Sequence, residues 1–351
     1  MVEQSIAYDE GVTDTDAVDE RATLADVAAE AGVSTATASR ALSGSRPVSP
    51  ETLKRIRAAA ARLGYRHNAV ASALRSNRTQ SVGLVLPRYA TVFLSALIES
   101  VTENLDAQGI GALLRYVAPD GADHDERVAD LLDRRVDGLI VCPPTIEASG
   151  HAQHMSHGLP LVQVGRFLDP QTPSAVSLDE EESAAVLAAH LARTGTRTVT
   201  IIGLDPDSPA DANRIASVSR ACAAAGPEVA GVVYRGSDLL AGVTSAEGLW
   251  DHVARDEALV CANDDVATGV LTVLRARGVR VPEDVQIASL LQLYPDAQGM
   301  PLTSLRHPWH EMGAEAVEML ELARRSRVAA RRRTSLPAEL VRGGSTRTTQ
   351  E

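Results

Sequence analysis

From Ser81 onward, short runs of Val, Leu and Ile alternate with stretches whose apolar residues recur at helical spacing, and this alternation narrows the fold more than any other feature. Residues 82–86, 111–116, 138–142 and 160–164 read as strands, separated by helices over 93–108, 125–134 and a further polar stretch. The scheme then repeats, with helices over 180–193, 213–225, 246–255 and 267–277 and strands over 198–203, 229–234, 258–262 and 285–291. Strands apolar on both faces and linked by helices pair in parallel, because the crossover helix returns the chain to the same end of the sheet. Two such runs predict two α/β lobes with doubly wound parallel sheets and a ligand cleft at the carboxyl ends of the strands.

The chain before Ser81 obeys a different grammar. Thr23 suits an N-cap, Leu24, Val27, Ala28 and Ala31 share one helical face, and Gly32 stands where a helix stops. Ser34 can cap a second short helix through Leu42. Ser49 followed by Pro50 opens a third, with Leu53, Ile56, Ala60 and Leu63 inward and Gly64 as its stop. Two short helices about a glycine turn make a helix-turn-helix, whose second helix fits the major groove of DNA. Residues 65–76 form an Ala-rich segment with too little apolar surface for a stable helix alone, which predicts a conditional helix between domains.

Charge follows the same partition. The chain carries net −12, yet residues 21–80 hold ten bases and three acids, whereas residues 1–20 hold seven acids and no base. A basic island between acidic regions is the footprint of a nucleic-acid-binding module joined to something else. The first twenty residues lack apolar periodicity and read as a disordered tail. They also lack the basic start of a secretory signal, and no apolar run approaches the ~20 residues that span a bilayer, so a cytoplasmic protein without membrane contact is expected. Cys142, Cys222 and Cys261 show no paired spacing and read as buried thiols. His151, His154 and His157 recur every third residue without a nearby acid or thiol, a poor zinc pattern, so no metal and no cofactor are expected. The Arg331 to Arg333 run reads as a solvated loop. With no nucleophile elbow and no phosphate loop, no enzymatic activity is expected.

Thr23-Leu24-Ala25-Asp26-Val27-Ala28, Ala31-Gly32-Val33-Ser34, Ser39-Arg40-Ala41-Leu42, Val48-Ser49-Pro50-Glu51-Thr52 and Leu63-Gly64-Tyr65 closely resemble the headpiece of the lactose-repressor (LacI/GalR) family of bacterial transcriptional regulators. Arg134-Arg135-Val136-Asp137-Gly138-Leu139-Ile140, Ala262-Asn263-Asp264, Val281-Pro282-Glu283-Asp284-Val285 and Pro301-Leu302-Thr303-Ser304-Leu305-Arg306 resemble its effector-binding core, in the expected order. The resemblance implies a headpiece over 21–66, a hinge helix and linker over 67–80, and a two-lobed, periplasmic-binding-protein-like core over 81–351. Within that core it implies a first lobe mainly over 81–177, a second mainly over 178–293, a crossover helix over 308–325 and a C-terminal strand region over 334–342. The implied function is a homodimeric regulator, a repressor, on a pseudo-palindromic double-stranded operator under control of a small-molecule effector. The alternatives are a regulator that has lost its effector response and a soluble small-molecule binding protein.

By the same resemblance, Thr35, Ala36 and Arg40 read base edges, with Thr23, Ser34, Thr37 and Ser39 near phosphates or bases. Ser34 and Ser39 read equally well as capping or helix-surface residues. Asn68, Ala71 and Leu74 match the hinge helix, with Leu74 as an apolar wedge in the minor groove. Phe93, Arg166, Arg214, Asn263 and Gln292 fall at effector-pocket positions, although Asn263 or Asp264 also suits a helix cap. One departure concerns the effector: where the family places a carboxylate after the strand ending near Ala288, this chain has Ser289-Leu290-Leu291-Gln292. An Arg214 without that acid suits an anionic or amide-bearing metabolite better than a neutral sugar, unless Arg214 pairs with a local acid such as Asp211, so a sugar-like or anionic effector is expected.

Overall fold

The computed structural model describes residues 22–43, 48–65, 78–88, 94–118, 120–165, 171–249, 256–293, 301–325 and 331–348. The chain divides into two units, Met1–Asn77 and Arg78–Glu351.

In the first unit, α1 (Leu24–Glu30) starts at a reciprocal capping box: the Thr23 hydroxyl accepts from the Asp26 amide, and the Asp26 carboxylate accepts from the Thr23 amide at 2.8 Å. The bond that the Thr23 hydroxyl donates holds the Asp26 carboxyl below its usual range. Gly32, at φ 62, takes the left-handed turn that lets Val33 donate to Ala28 O and closes α1. α2 (Thr35–Ser43) and α3 (Pro50–Arg62) then pack on α1 through Val27, Ala28, Ala38, Ala41, Ile56 and Ala59. Small alanines at the contacts let three short helices approach closely, and full burial of Ile56 contributes about 1.5–3 kcal/mol.

The second unit contains two six-stranded sheets. The first sheet holds β1 (Ser81–Pro87), β2 (Gly111–Val117), β3 (Leu139–Val141), β4 (Leu161–Gly165) and β5 (Ala175–Asp179), crossed by α4 (Ser95–Asp106), α5 (His124–Asp133) and α6 (Ile146–Met155). The second holds β6 (Thr198–Ile202), β7 (Glu228–Val233), β8 (Glu257–Cys261), β9 (Gln286–Ser289) and β10 (Thr303–Arg306). Its helices are α7 (Glu180–Arg193), α8 (Pro209–Ala225), α9 (Leu239–Leu249) and α10 (Asp264–Ala276). Both central strands β3 and β8 are buried along their whole length, as parallel strands covered by helices on two faces must be.

The chain ends are interleaved. After β10, α11 (Trp309–Arg325) returns to the first lobe and packs on α4 and on β3, β4 and β5 through Met312, Ala316, Val317 and Leu320. β11 (Arg333–Pro337) joins the first sheet parallel to β5, and β12 (Glu339–Val341) joins the second antiparallel to β10. The described chain therefore passes between the lobes three times, at Asp179–Glu180, between Arg306 and Trp309, and at Ala338. The antiparallel β12 departs from the all-parallel expectation because a strand that follows β11 after a single residue has no crossover helix to restore its direction.

Two local expectations are corrected. The helix expected over 246–255 instead starts at Leu239, and residues 250–255 lie outside the described set. Gly242, which looks like a helix breaker, is a packing glycine: a Cβ there would stand 2.2 Å from Val266 O, and one at Gly269 would stand 2.2 Å from Leu239 O. Nor is the arginine run wholly a solvated loop. Arg333 begins β11, and Arg332 forms ion pairs with Glu315 at 2.7 Å and Glu318 at 3.2 Å on α11.

Candidate DNA-reading surface and interlobe cleft

On α2, the inward positions Ala38 and Ala41 fix which residues face out. Thr35, Ala36 and Arg40 are exposed, and Thr37 and Ser39 are half-buried. Arg40 Nε donates to Ala36 O at 3.0 Å, which lays the guanidinium stem along the outer face of the helix. Ser34 caps α2: its hydroxyl accepts from the Thr37 amide at 3.1 Å and bonds the Thr37 hydroxyl at 2.8 Å. Thr23 spends its hydroxyl on the α1 cap in the same way. Lys54, Arg55 and Arg57 stand exposed on α3, while Arg62 is matched by Glu30 at 2.8 Å. The first unit thus offers Thr35, Ala36 and Arg40 on the exposed face of α2 and exposed cations on α3. Asn68, Ala71 and Leu74 lie outside the described residues.

In the second unit, β6, β8 and β9 are neighbours, and their carboxyl ends carry the segments holding Arg214, Asn263 and Gln292. Phe93 and Arg166 lie outside the described residues. Arg214 on α8 is 4% exposed and bonds Glu180 twice, Nε to Oε2 at 3.0 Å and Nη2 to Oε1 at 2.8 Å. Its counter-ion is therefore Glu180; Asp211 instead accepts from the Asp205 amide at 3.3 Å. Asn263 is the N-cap of α10, accepting from Val266 N at 3.0 Å and donating to Ser237 O at 2.9 Å. Asp264, buried in the first turn, accepts from Leu293 N at 2.9 Å and so holds the segment that follows β9.

Gln292 has another environment. It lines a cavity of about 370 Å³ at the junction of the lobes, together with Ser95 and Ala96 of α4, Trp309 and Glu311 of α11, and the Arg306–Glu339 ion pair. Its Oε1 is buried without a hydrogen-bond partner among the described residues. Sequence reasoning named Gln292 as an effector-pocket position; it did not name Trp309, Arg306 and Glu339, which line the same cavity, or Glu180, the counter-ion of Arg214. Trp309, one of two tryptophans in the chain, carried a compositional signal; the ion-pair partners, far apart in sequence, carried none. The histidines do not form one cluster: His151 bonds Asp125 at 3.0 Å, whereas the rings of His154 and His157 lie 6.0 Å apart, with His157 beyond the end of α6 at φ 46.

Residues 23–68 match the family described as bacterial regulatory proteins, lacI family, and residues 188–346 match a periplasmic binding protein-like domain. The chain is 30% identical over 304 residues to the HTH-type transcriptional regulator AscG of Escherichia coli, spanning 85% of this chain and 90% of AscG. It is 31% identical over 315 residues to catabolite control protein A of Streptococcus mutans, spanning 86% and 91%. Its fold is similar to that of a transcriptional regulator CelR–cellobiose complex, at TM-score 0.64 and 29% identity, over 93% of this chain and 100% of the other. It is also similar in fold to a lac repressor dimer bound to operator and the anti-inducer ONPF, at TM-score 0.78 and 22% identity, over 93% and 99%. With the headpiece and core landmarks in one order and relatives aligned along most of their length, the chain belongs to the lacI family of bacterial regulatory proteins.

Proposed function

We propose that this chain is a transcriptional regulator, acting as a repressor, that binds a pseudo-palindromic operator as a homodimer under control of a small molecule held between the lobes. The observation that carries the reading is the union, in one chain, of a basic three-helix unit with an outward-facing α2 and a two-lobed unit with a cavity at its hinge. Thr35, Ala36 and Arg40 read bases: the guanidinium can bind guanine bidentately, and Ala36 meets a thymine methyl. Ser34 caps the reading helix, Thr23 caps α1 before it, and together with Thr37 and Ser39 they lie near phosphates or bases. Asn68, Ala71 and Leu74 act at the minor groove, with Leu74 as the wedge.

In the core, Gln292 contacts the effector, with Phe93 and Arg166 as further contacts, while Arg214 and Asn263 support the pocket wall. The Glu180 carboxylate satisfies the Arg214 charge, so Arg214 no longer argues for an anionic ligand over a neutral hydrogen-bonding one. The relatives are transcriptional regulators, and no catalytic role is assigned. Among the described residues no helix is long and apolar enough to cross a membrane. A regulator that acts on DNA works in the cytoplasm, and that is the location of this reading. Selection of genomic fragments by the full chain, compared with a chain beginning at Ser81, tests the reading. Enrichment of one two-fold-symmetric sequence by the full chain alone is expected; equal retention by both chains would overturn it.

A further inference from the structure

One helix has its two ends at chemically distinct places. α11 begins in the interlobe cavity, where Trp309, His310 and Glu311 form part of the wall. Its last turn ends in a buried ion cluster, where Arg324, 4% exposed, pairs with Glu321 and, at 3.2 Å, with Asp137, 9% exposed. Asp137 in turn holds the first residues of the second unit: Oδ1 accepts from Thr79 N and Oδ2 from Gln80 N, each at 2.9 Å. The Thr79 hydroxyl donates to Arg135 O at 2.8 Å, and Arg78 Nη2 donates to Arg324 O at 3.4 Å. Gln80 and Arg135 sit at φ 52 and φ 56, left-handed conformations that non-glycine residues keep only where surrounding bonds over-determine them. So many bonds converge on the point where the chain passes from the DNA-binding unit into the core.

The rod between these ends is stiff. Seventeen helical residues span about 25 Å at ~1.5 Å each. In its second turn Gly313 lies so close to α4 that a Cβ would stand 2.9 Å from Leu97 O, and α4 itself starts in the cavity with Ser95 and Ala96. A buried pair such as Arg324–Asp137 does not open partway without leaving a desolvated charge. The end of α11 and residues 78–80 therefore move as one body. We propose that α11 couples the cavity to the DNA-binding unit, with Asp137 and Arg324 as the positioning residues that carry a displacement at Trp309–Glu311 to Arg78–Gln80. This rests on the reading of the chain as a DNA-binding regulator and adds the route by which occupancy of the cleft alters DNA affinity.

The test fills the cavity without knowledge of the effector. Ser95→Cys puts a thiol in the cavity wall, where N-ethylmaleimide attaches a compact adduct. The native thiols are buried and poor competitors, with burial pushing Cys142 up to about 12, Cys222 up to about 11 and Cys261 up as well. The full-length chain selects its DNA sequence, and the dissociation constant is measured with and without the adduct. In the Ser95→Cys protein the adduct is expected to change that constant by about fivefold or more, the lower end of ordinary coupling. With Asp137→Asn added, the change is expected to fall to roughly twofold or less, with labelling intact. Thr79→Val, which deletes the three hydroxyl bonds to Ser81, Arg135 and Asp137 and keeps the ion pair, is expected to shrink the ratio as well and serves if Asp137→Asn does not fold. A merely structural role would lower the melting temperature and leave the adduct ratio unchanged. An equal ratio in all backgrounds, or no adduct effect in the Ser95→Cys protein, would overturn the coupling; failure of the full chain to enrich any sequence would instead sink the regulator reading beneath it.

Discussion

Arg40 is exposed on α2 and, in the free protein, lies back on its own helix through the bond to Ala36 O. That bond uses Nε; bidentate recognition of guanine needs only two of the five guanidinium donors, so reading a base asks for a rotation of the side chain and no refolding. Arg40→Ala is expected to weaken specific binding by about 1–3 kcal/mol and to relax preference at one base position in each half-site. Sequence selection by parent and mutant is the check, and an identical consensus at equal affinity would remove Arg40 from the readers. At this scale the sequence was legible where the chemistry is local. Thr23, Ser34 and Ser49 cap helices because a hydroxyl beside a free amide reaches it within three residues. It was illegible where the partner is distant: Arg214 invites a search among its neighbours for an acid, whereas the fold supplies Glu180, 34 residues away.

Among elements, α9 and α10 show what periodicity conceals. Gly242 interrupts a helical pattern in sequence, yet it and Gly269 are where two helix backbones touch, and nothing in a single chain announces a partner surface. Gly242→Ala is expected to destabilise the core by about 1–3 kcal/mol through overpacking, despite the better helix propensity of alanine. A denaturant midpoint equal to or above that of the parent would contradict the contact. A second element-level expectation concerns α7, where buried His190 shares a 2.8 Å bond with the Thr346 hydroxyl near the chain's end. Burial, then Arg342 and Arg193, hold the His190 imidazole below its ordinary value. The unfolded chain therefore binds this proton more readily, so the contribution is complete above about pH 6.5 and is lost as pH falls through that value toward the lower folded one. Between pH 7 and 5 the melting temperature of the parent should drop more steeply than that of His190→Gln; parallel curves would exclude the histidine as a source of acid sensitivity.

For the whole molecule, the alternation of strands and helices announced two lobes, and the order of the family landmarks announced how a basic three-helix unit precedes them. The interlobe chemistry was less legible, because a cavity wall is assembled from α4, the segment after β9, β10, α11, β11 and β12, whose residues approach one another only after the chain has passed between the lobes three times. Arg214 and Glu180 give that assembly a stringent test. Glu180 is the first residue after the crossing from β5, and Arg214 lies on α8 beyond the next strand, so the pair ties the hinge to the second lobe. A parallel tie runs from Glu181 to Ser217 and Arg220 on the same two helices. With side-chain exposures of 5% for Arg214 and 24% for Glu180, removal of the acid alone leaves a desolvated guanidinium. Glu180→Gln should therefore cost about 3–5 kcal/mol, whereas Arg214→Met combined with Glu180→Gln should recover much of that loss, because replacing a buried pair by well-packed groups is often near neutral. Thermal unfolding of the single and double variants measures the first part. The same variants, screened against neutral sugars, sugar phosphates and carboxylates, address the effector: a pair committed to the hinge predicts that a ligand of the parent still binds the double variant at comparable affinity. An anion that binds the parent tightly and the double variant not at all would show instead that Arg214 leaves Glu180 to meet the ligand.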